Sequence, residues 1–328
     1  REKLSGLASE TSHYEVLVQE YIWNELLSFK KMFLKDRKIE NIMLLGGFFT
    51  ESIFQNEQEK NTRIISRKTY RNWFDKINGH SPMELAVKMG IPLENASLMS
   101  PAAVICNSLI EMMDAEQIWI PGTHLARGLA YEYAEEKKLI KVSHNFENDI
   151  LMAAKNIGKR YAVNRPHIQN IDMIATELFD SMKKIHGMGV RERLLLKIAV
   201  MLHDVGKYIS LNNAALCTYH IIMSNEIIGL SHTEREMIAQ FAQISAISEQ
   251  QYLKVAELTA ILRLANTLDR SHMQKVQQIR ASLRERELTL NLTVNGDFTL
   301  EQGLCREKMD FFYEVFSVRP KLKVKREM

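Results

Sequence analysis

Apolar side chains recur at helical spacing along most of this chain and at strand-like spacing in a few short stretches towards its two ends. Residues 14–34 (YEVLVQEYIWNELLSFKKMFL) read as an amphipathic helix, and 39–45 (IENIMLL) as a buried strand that runs straight into Gly46-Gly47. A short strand over 62–65 precedes a helix over 66–78. Ser66 suits its cap, because a hydroxyl there can accept from an unpaired first-turn N–H. Pro82, Gly90 and Pro92 punctuate a helical hairpin, a longer helix over 100–114 leads to a strand over 117–120, and after Pro121-Gly122 a last helix (HLARGLAYEYAEE) closes the segment. Strands alternating with helices predict an α/β domain over 1–139.

Helical periods then take over. The segments 146–160, 167–185, 191–204, 213–227, 232–248 and 251–269 predict an all-helical domain spanning 140–272. Beyond Asp269 the period changes. Residues 276–282 and 288–294 alternate around the polar run Arg284-Glu285-Arg286-Glu287, Asn295-Gly296 signals a turn, and a helix over 301–315 and a strand over 321–325 complete a small β-β-α-β lobe over 273–328. The expected class is α+β, multidomain.

Composition adds bounds. With 328 residues, 46% of them hydrophobic, the chain can bury more than one core, which favours two or three domains. A net charge of +3 is too small to argue for a specific nucleic-acid partner. Cys106, Cys217 and Cys305 have no paired spacing, so a reduced, cytoplasmic protein is expected. No apolar run approaches the roughly 18 residues of a membrane span, and no membrane partner is expected. The chain opens on Arg1 and reaches its first strand only at 39, as expected of a chain whose earlier part is missing. The basic end (Arg319, Lys321, Lys323, Lys325, Arg326) suits a solvated edge strand or a surface facing a polyanion.

The most informative chemistry is the pair His203-Asp204 at the end of one predicted helix, with His167 and Asp269 on two others. Imidazoles and carboxylates in the order H…HD…D suit a divalent ion such as Mn, Fe, Zn or Mg. A buried, hydrogen-bonded His–Asp network, with Arg263 or Lys207 as further partners, accounts for the same residues without an ion. Lys207 is also placed to meet a phosphate. At the other end, Gly46 and Gly47 can bring backbone N–H groups close to a phosphate or nucleotide, with Thr50 as a polar contact; a plain strand-to-helix turn fits equally well. No catalytic base or nucleophile is assigned.

The stretches from Arg160-Tyr161 to His167, 178–210 (LFDSMKKIHGMGVRERLLLKIAVMLHDVGKYIS), 262–272 (LRLANTLDRSH) and 311–316 (FFYEVF) resemble the exopolyphosphatase and guanosine pentaphosphate phosphatase family. The resemblance implies that residues 1–139 are part of the second lobe of an actin-like (ribonuclease H-like) unit, followed by a helical domain related to HD phosphohydrolases. It makes Gly46-Gly47 the match to the family's GGT turn, with Phe48-Phe49 where Thr and a small residue are usual. The family's first lobe, with its water-orienting glutamate, is not matched, and HLARGL places Ala126 and Arg127 where Arg and Glu are usual. Ala215, Cys217 and Ser245 stand where histidines are usual, which points to an empty or weakly metallated, vestigial pocket. The implied function is that of the carboxy-terminal part of a phosphatase hydrolysing phosphoanhydrides of polyphosphate or guanosine pentaphosphate; separately, long apolar helices and the loss of a neighbouring lobe favour a homodimer paired through the helical region. Alternatives are an independent metal-dependent HD phosphohydrolase, or a non-enzymatic sensor or scaffold for a phosphate ligand.

Overall fold

The computed structural model describes residues 14–326 apart from 35, 47, 55–56, 142–143 and 242–248. The chain divides into two compact units, 1–142 and 143–328. The class is mixed α+β, mostly helical, with two three-stranded sheets.

In the first unit, α1 (Tyr14–Phe29) leads through a π turn to β1 (Asn41–Met43), followed by α2 (Phe48–Glu51), α3 (Glu57–Thr62), β2 (Ile64–Ser66), α4 (Arg67–Ile77), α5 (Pro82–Met89), α6 (Leu93–Met113), β3 (Gln117–Trp119) and α7 (Leu125–Glu136). β3 is central, parallel to β1 and antiparallel to β2. Ser66 caps α4 as expected, its hydroxyl accepting from Thr69 N, and Ser81 and Glu84 form a reciprocal capping box on α5. α4 turns Tyr70, Trp73 and Ile77 inward against Met99, Ala103, Cys106 and Ile110 of α6. The buried Tyr70 hydroxyl donates to Ala103 O at 3.0 Å.

α6 departs from the sequence expectation twice. It starts at Leu93 rather than near 100, carrying Pro101 inside it. With 21 residues and a mean hydropathy of 1.3 over its most apolar window, it is also long and apolar enough to cross a membrane, against the expectation that no run approaches that length. Half of that window is buried inside the unit, where α6 packs against α1, α4 and α5 as a core helix.

The second unit holds α8 (Phe146–Arg160), α9 (Arg165–Ser181), α10 (Lys183–His186), α11 (Val190–Leu202), a 3-10 turn (Val205–Tyr208), α12 (Ala214–Ser224), α13 (His232–Gln240), α14 (Glu249–Thr267), β4 (Val276–Arg284), β5 (Glu287–Val294), α15 (Thr299–Phe316) and β6 (Arg319–Arg326). The terminal segment has the expected β-β-α-β order, with β4 antiparallel and β6 parallel to the central β5. It shares its core with the helices: Val276, Leu288, Leu290, Leu292 and Phe312 belong to the same buried cluster as Ile171, Leu178, Leu195 and Leu264. α9 also occupies the edge of β4, since Asn170 Nδ2 donates to Val276 O (2.7 Å) and Ala281 N donates to Glu177 (2.8 Å). Those two side chains lie seven residues apart, on one helix face, and pair edge groups that would otherwise stay open.

Candidate metal centre

Three elements deliver the site. Asn164 caps α9 by accepting from His167 N (3.2 Å), which puts His167 in the first turn of a helix whose inner face is buried. α11 is apolar on nearly every side and ends at Leu202, leaving His203 at its C-cap and Asp204 at the entry to the 3-10 turn. Gly206 makes that turn possible. A Cβ there would collide with Ala214 O and lie 2.5 Å from Thr218 N, and the absence of one lets Gly206 N donate to Thr218 Oγ1 (3.0 Å). α12 is thereby fastened beneath the His-Asp pair.

His167, His203 and Asp204 each present one ligand atom, all within 4.8 Å of one another. His167 is 1% exposed, and its Nδ1 lies 2.7 Å from Asp269 Oδ2. A carboxylate in that position accepts a hydrogen bond from Nδ1–H and so leaves the lone pair on Nε2. His203 is arranged likewise, its Nδ1 donating to Val200 O at 2.8 Å. Both Nε2 atoms are buried without a hydrogen-bond partner. Burial holds the His203 pKa below its ordinary value, so this ring stays neutral and keeps its lone pair. For Asp204, burial acts upward, but the hydrogen-bonded Lys207 ammonium, joined by His203 whenever that ring is protonated, holds the carboxyl below its ordinary range. Asp204 divides its oxygens, with Oδ2 ion-paired to Lys207 Nζ (2.6 Å) and Oδ1 3.5 Å from His203 Nε2.

The four residues expected from sequence therefore come together, in unequal roles. Asp269 orients His167 and also accepts from Gln274 N (2.7 Å), and it stands outside the three-atom cluster. Arg263 takes no part in the network; its guanidinium lies 5.2 Å from the Phe311 ring. The residue that sequence reasoning missed is His272, whose ring stacks on His167 at a centroid distance of 3.6 Å and an interplanar angle of 9°. It lies beyond α14 at φ 58°, where no helical period could have marked it. α12 adds no ligand: Ala215 is exposed and Cys217 half-buried, while Ser245 lies outside the described residues.

In the first unit, Gly46 lines an open cleft of about 840 Å³ with Thr123, His124, Leu125, Arg127 and Tyr131. Thr50 turns inward instead, 1% exposed, its hydroxyl donating to Gly46 O at 3.2 Å. Gly47 lies outside the described residues.

Residues 151–311 match the sequence profile of Ppx/GppA phosphatase, domain III, a span that contains every residue of the His/Asp cluster. The stretch is a Ppx/GppA domain III, and the chain is homologous to the phosphatases of that family. Similar proteins include the guanosine-5'-triphosphate,3'-diphosphate pyrophosphatase of Photobacterium profundum, 22% identical over 180 residues, or 53% of this chain and 35% of the relative. A protein of that name from Aliivibrio fischeri is 19% identical over 236 residues, covering 67% of this chain and 44% of the relative. The chain thus spans less than half the length of either. Within domain III, the imidazoles and the ionised Asp204 form a donor set suited to a divalent ion. The two partnerless Nε2 atoms are the observation by which such an ion fits, since each would otherwise cost about 1–3 kcal/mol as a buried unpaired group.

Proposed function

We propose that this chain serves a Ppx/GppA-type phosphatase that cleaves phosphoanhydrides of polyphosphate or guanosine pentaphosphate, with one divalent ion held in domain III by His167, His203 and Asp204. The observation that carries the reading is the pair of buried, partnerless Nε2 atoms facing an ionised carboxylate. That arrangement argues for a single-ion site over a vestigial pocket, because a relic network would have paired those nitrogens with each other's neighbours. A bound divalent ion would supply charge neutralisation at phosphate oxygens. The side chains do the rest: Asp269 fixes the His167 ring, Val200 O fixes His203, and Lys207, one turn from Asp204, is placed to exchange its carboxylate contact for a phosphate oxygen.

The first unit fits the role of part of an actin-like lobe, with Gly46 and Arg127 at a cleft directed to phosphate. No residue of the chain is assigned the water-orienting role, so hydrolysis by this chain alone is expected to be weak. A second reading, an independent HD phosphohydrolase, draws on the same preorganised ligands. Assays of this chain with manganese on polyphosphate and on guanosine pentaphosphate separate the two. Metal retention without turnover supports the first reading, and turnover abolished by Asp204→Ala supports the second. Loss of both metal and turnover would sink the two together.

A further inference from the structure

The terminal sheet has two edges, and the fold treats them differently. α9 covers the edge of β4 with Asn170 and Glu177, whereas β6 pairs only with β5, and no hydrogen bond reaches its other side among the described residues. One bond shows which backbone groups stay open. Arg319 N donates to Arg286 O, so Arg319 turns its backbone towards β5, and the unshifted register carries Lys321, Lys323 and Lys325 the same way. Pro320, Leu322, Val324 and Arg326 therefore turn theirs outward. Pro320 fits that parity, because a residue without an N–H is tolerated where the ladder needs none. The open edge thus offers the N–H groups of Leu322, Val324 and Arg326, with the carbonyls of Pro320, Leu322 and Val324 between them.

Side chains select what can pair there. Lys321, Lys323 and Lys325 stand on the solvent face of the sheet, while Leu322 is half-buried on its core side and Val324 is exposed. β4 adds Arg280 and Arg284 to the solvent face, and Glu287, 3.7 Å from Lys321, is the one acid in the three strands. A second copy of β6 would set lysine against lysine, and like charges facing across strands repel. Nucleic acid fits poorly too, because no strand of this sheet carries an aromatic ring on which a base could stack. An extended peptide with acidic side chains at alternate positions meets both requirements. Its backbone continues the ladder, and its carboxylates face the lysines at about 5 Å. We infer that the open edge of β6 is a docking site for an acidic, extended segment of a partner protein, taken up as an added strand. Lys321 to Lys325 span about 13 Å, so each of the three lysines can meet one acid of such a segment. The inference does not rest on the His/Asp centre.

The test is fluorescence anisotropy of a labelled synthetic peptide that alternates glutamate with valine, titrated with the full chain. The expected result is saturable binding that weakens with salt. The same peptide N-methylated throughout keeps its charges but has no amide donor, and it should bind about tenfold more weakly or worse. Lys323→Glu with Lys325→Glu, both at exposed positions, should abolish binding with the circular dichroism spectrum unchanged. Val324→Pro removes an outward N–H and leaves the β5 ladder complete, so it should also weaken binding about tenfold. Should that variant unfold, the N-methylated peptide carries the same test. Asp204→Ala should leave binding unchanged. No saturable binding, wild-type affinity in the folded lysine variant, or equal affinity for the N-methylated peptide would overturn the inference. Oligouridylate that binds more tightly than the peptide would overturn it in favour of a nucleic acid.

Discussion

At the scale of single residues, the proposed centre depends on which nitrogen of each imidazole is free. Asp269 decides this for His167. Asp269→Ala should lower divalent-metal affinity about 10- to 100-fold, while Asp269→Asn, which still offers an oxygen to Nδ1, should lose less. Competition of each variant against a metal-sensitive dye measures the difference, and equal affinity in all three proteins would remove Asp269 from the account. A pH effect belongs to His186, whose Nε2 donates to Phe179 O and whose Nδ1 accepts from Met188 N, both at 2.9 Å. That pairing requires the neutral ring, and burial, ahead of the carbonyl and nearby acids, holds its pKa below the ordinary 6.5. The unfolded chain therefore binds this proton more readily, so the contribution is complete above the ordinary pKa and is lost as pH falls towards the depressed folded one. Urea midpoints should drop between about pH 7.5 and pH 5.5, and less steeply in His186→Gln. An identical slope in that variant would rule the residue out.

At the scale of elements, the turn after α11 and the loop after α14 carry the site. Gly206→Ala would drive a methyl group into α12 at Ala214 and Thr218, where backbone rather than a flexible side-chain end blocks it. A destabilisation of about 3 kcal/mol or more is expected by thermal unfolding, together with loss of the His-Asp geometry. The loop is anchored from α15: Glu301, 0% exposed at its side chain, pairs with Lys275 at 3.0 Å and accepts from Ser271 N at 3.2 Å. Glu301→Ala leaves a largely buried ammonium unpaired and should cost about 3–5 kcal/mol in chemical denaturation. A change below about 1 kcal/mol would mean that water replaces the carboxylate there. These elements were partly legible beforehand. Caps, periods and the β-β-α-β order follow from local chemistry, and Ser66, α8, α9, α11 and the terminal strands fell close to their expected places. α6 did not, because a proline inside a helix looks like a boundary, and Pro101 is carried by the packing of its neighbours.

At the scale of the whole molecule, two readings needed three dimensions. The terminal segment looked separate because its period changes from helical to strand-like, yet strands with one apolar face must bury it, and the nearest cover is the helical bundle. Likewise, the order H…HD…D was visible in the chain, but not that Asp269 would hold His167 while His272 stacked on it, since His272 reaches that ring from a loop at positive φ and Asp269 is itself fixed by Gln274 N of that loop. What distinguishes a metal centre from a hydrogen-bonded relic is the state of two nitrogen atoms. Metal content of the protein purified without chelator addresses them most directly. The account predicts about one equivalent of manganese, iron or zinc surviving gel filtration, and its loss in Asp204→Ala with the circular dichroism spectrum unchanged. Protein that emerges free of metal, and still takes up none when titrated with each of these ions, would contradict it.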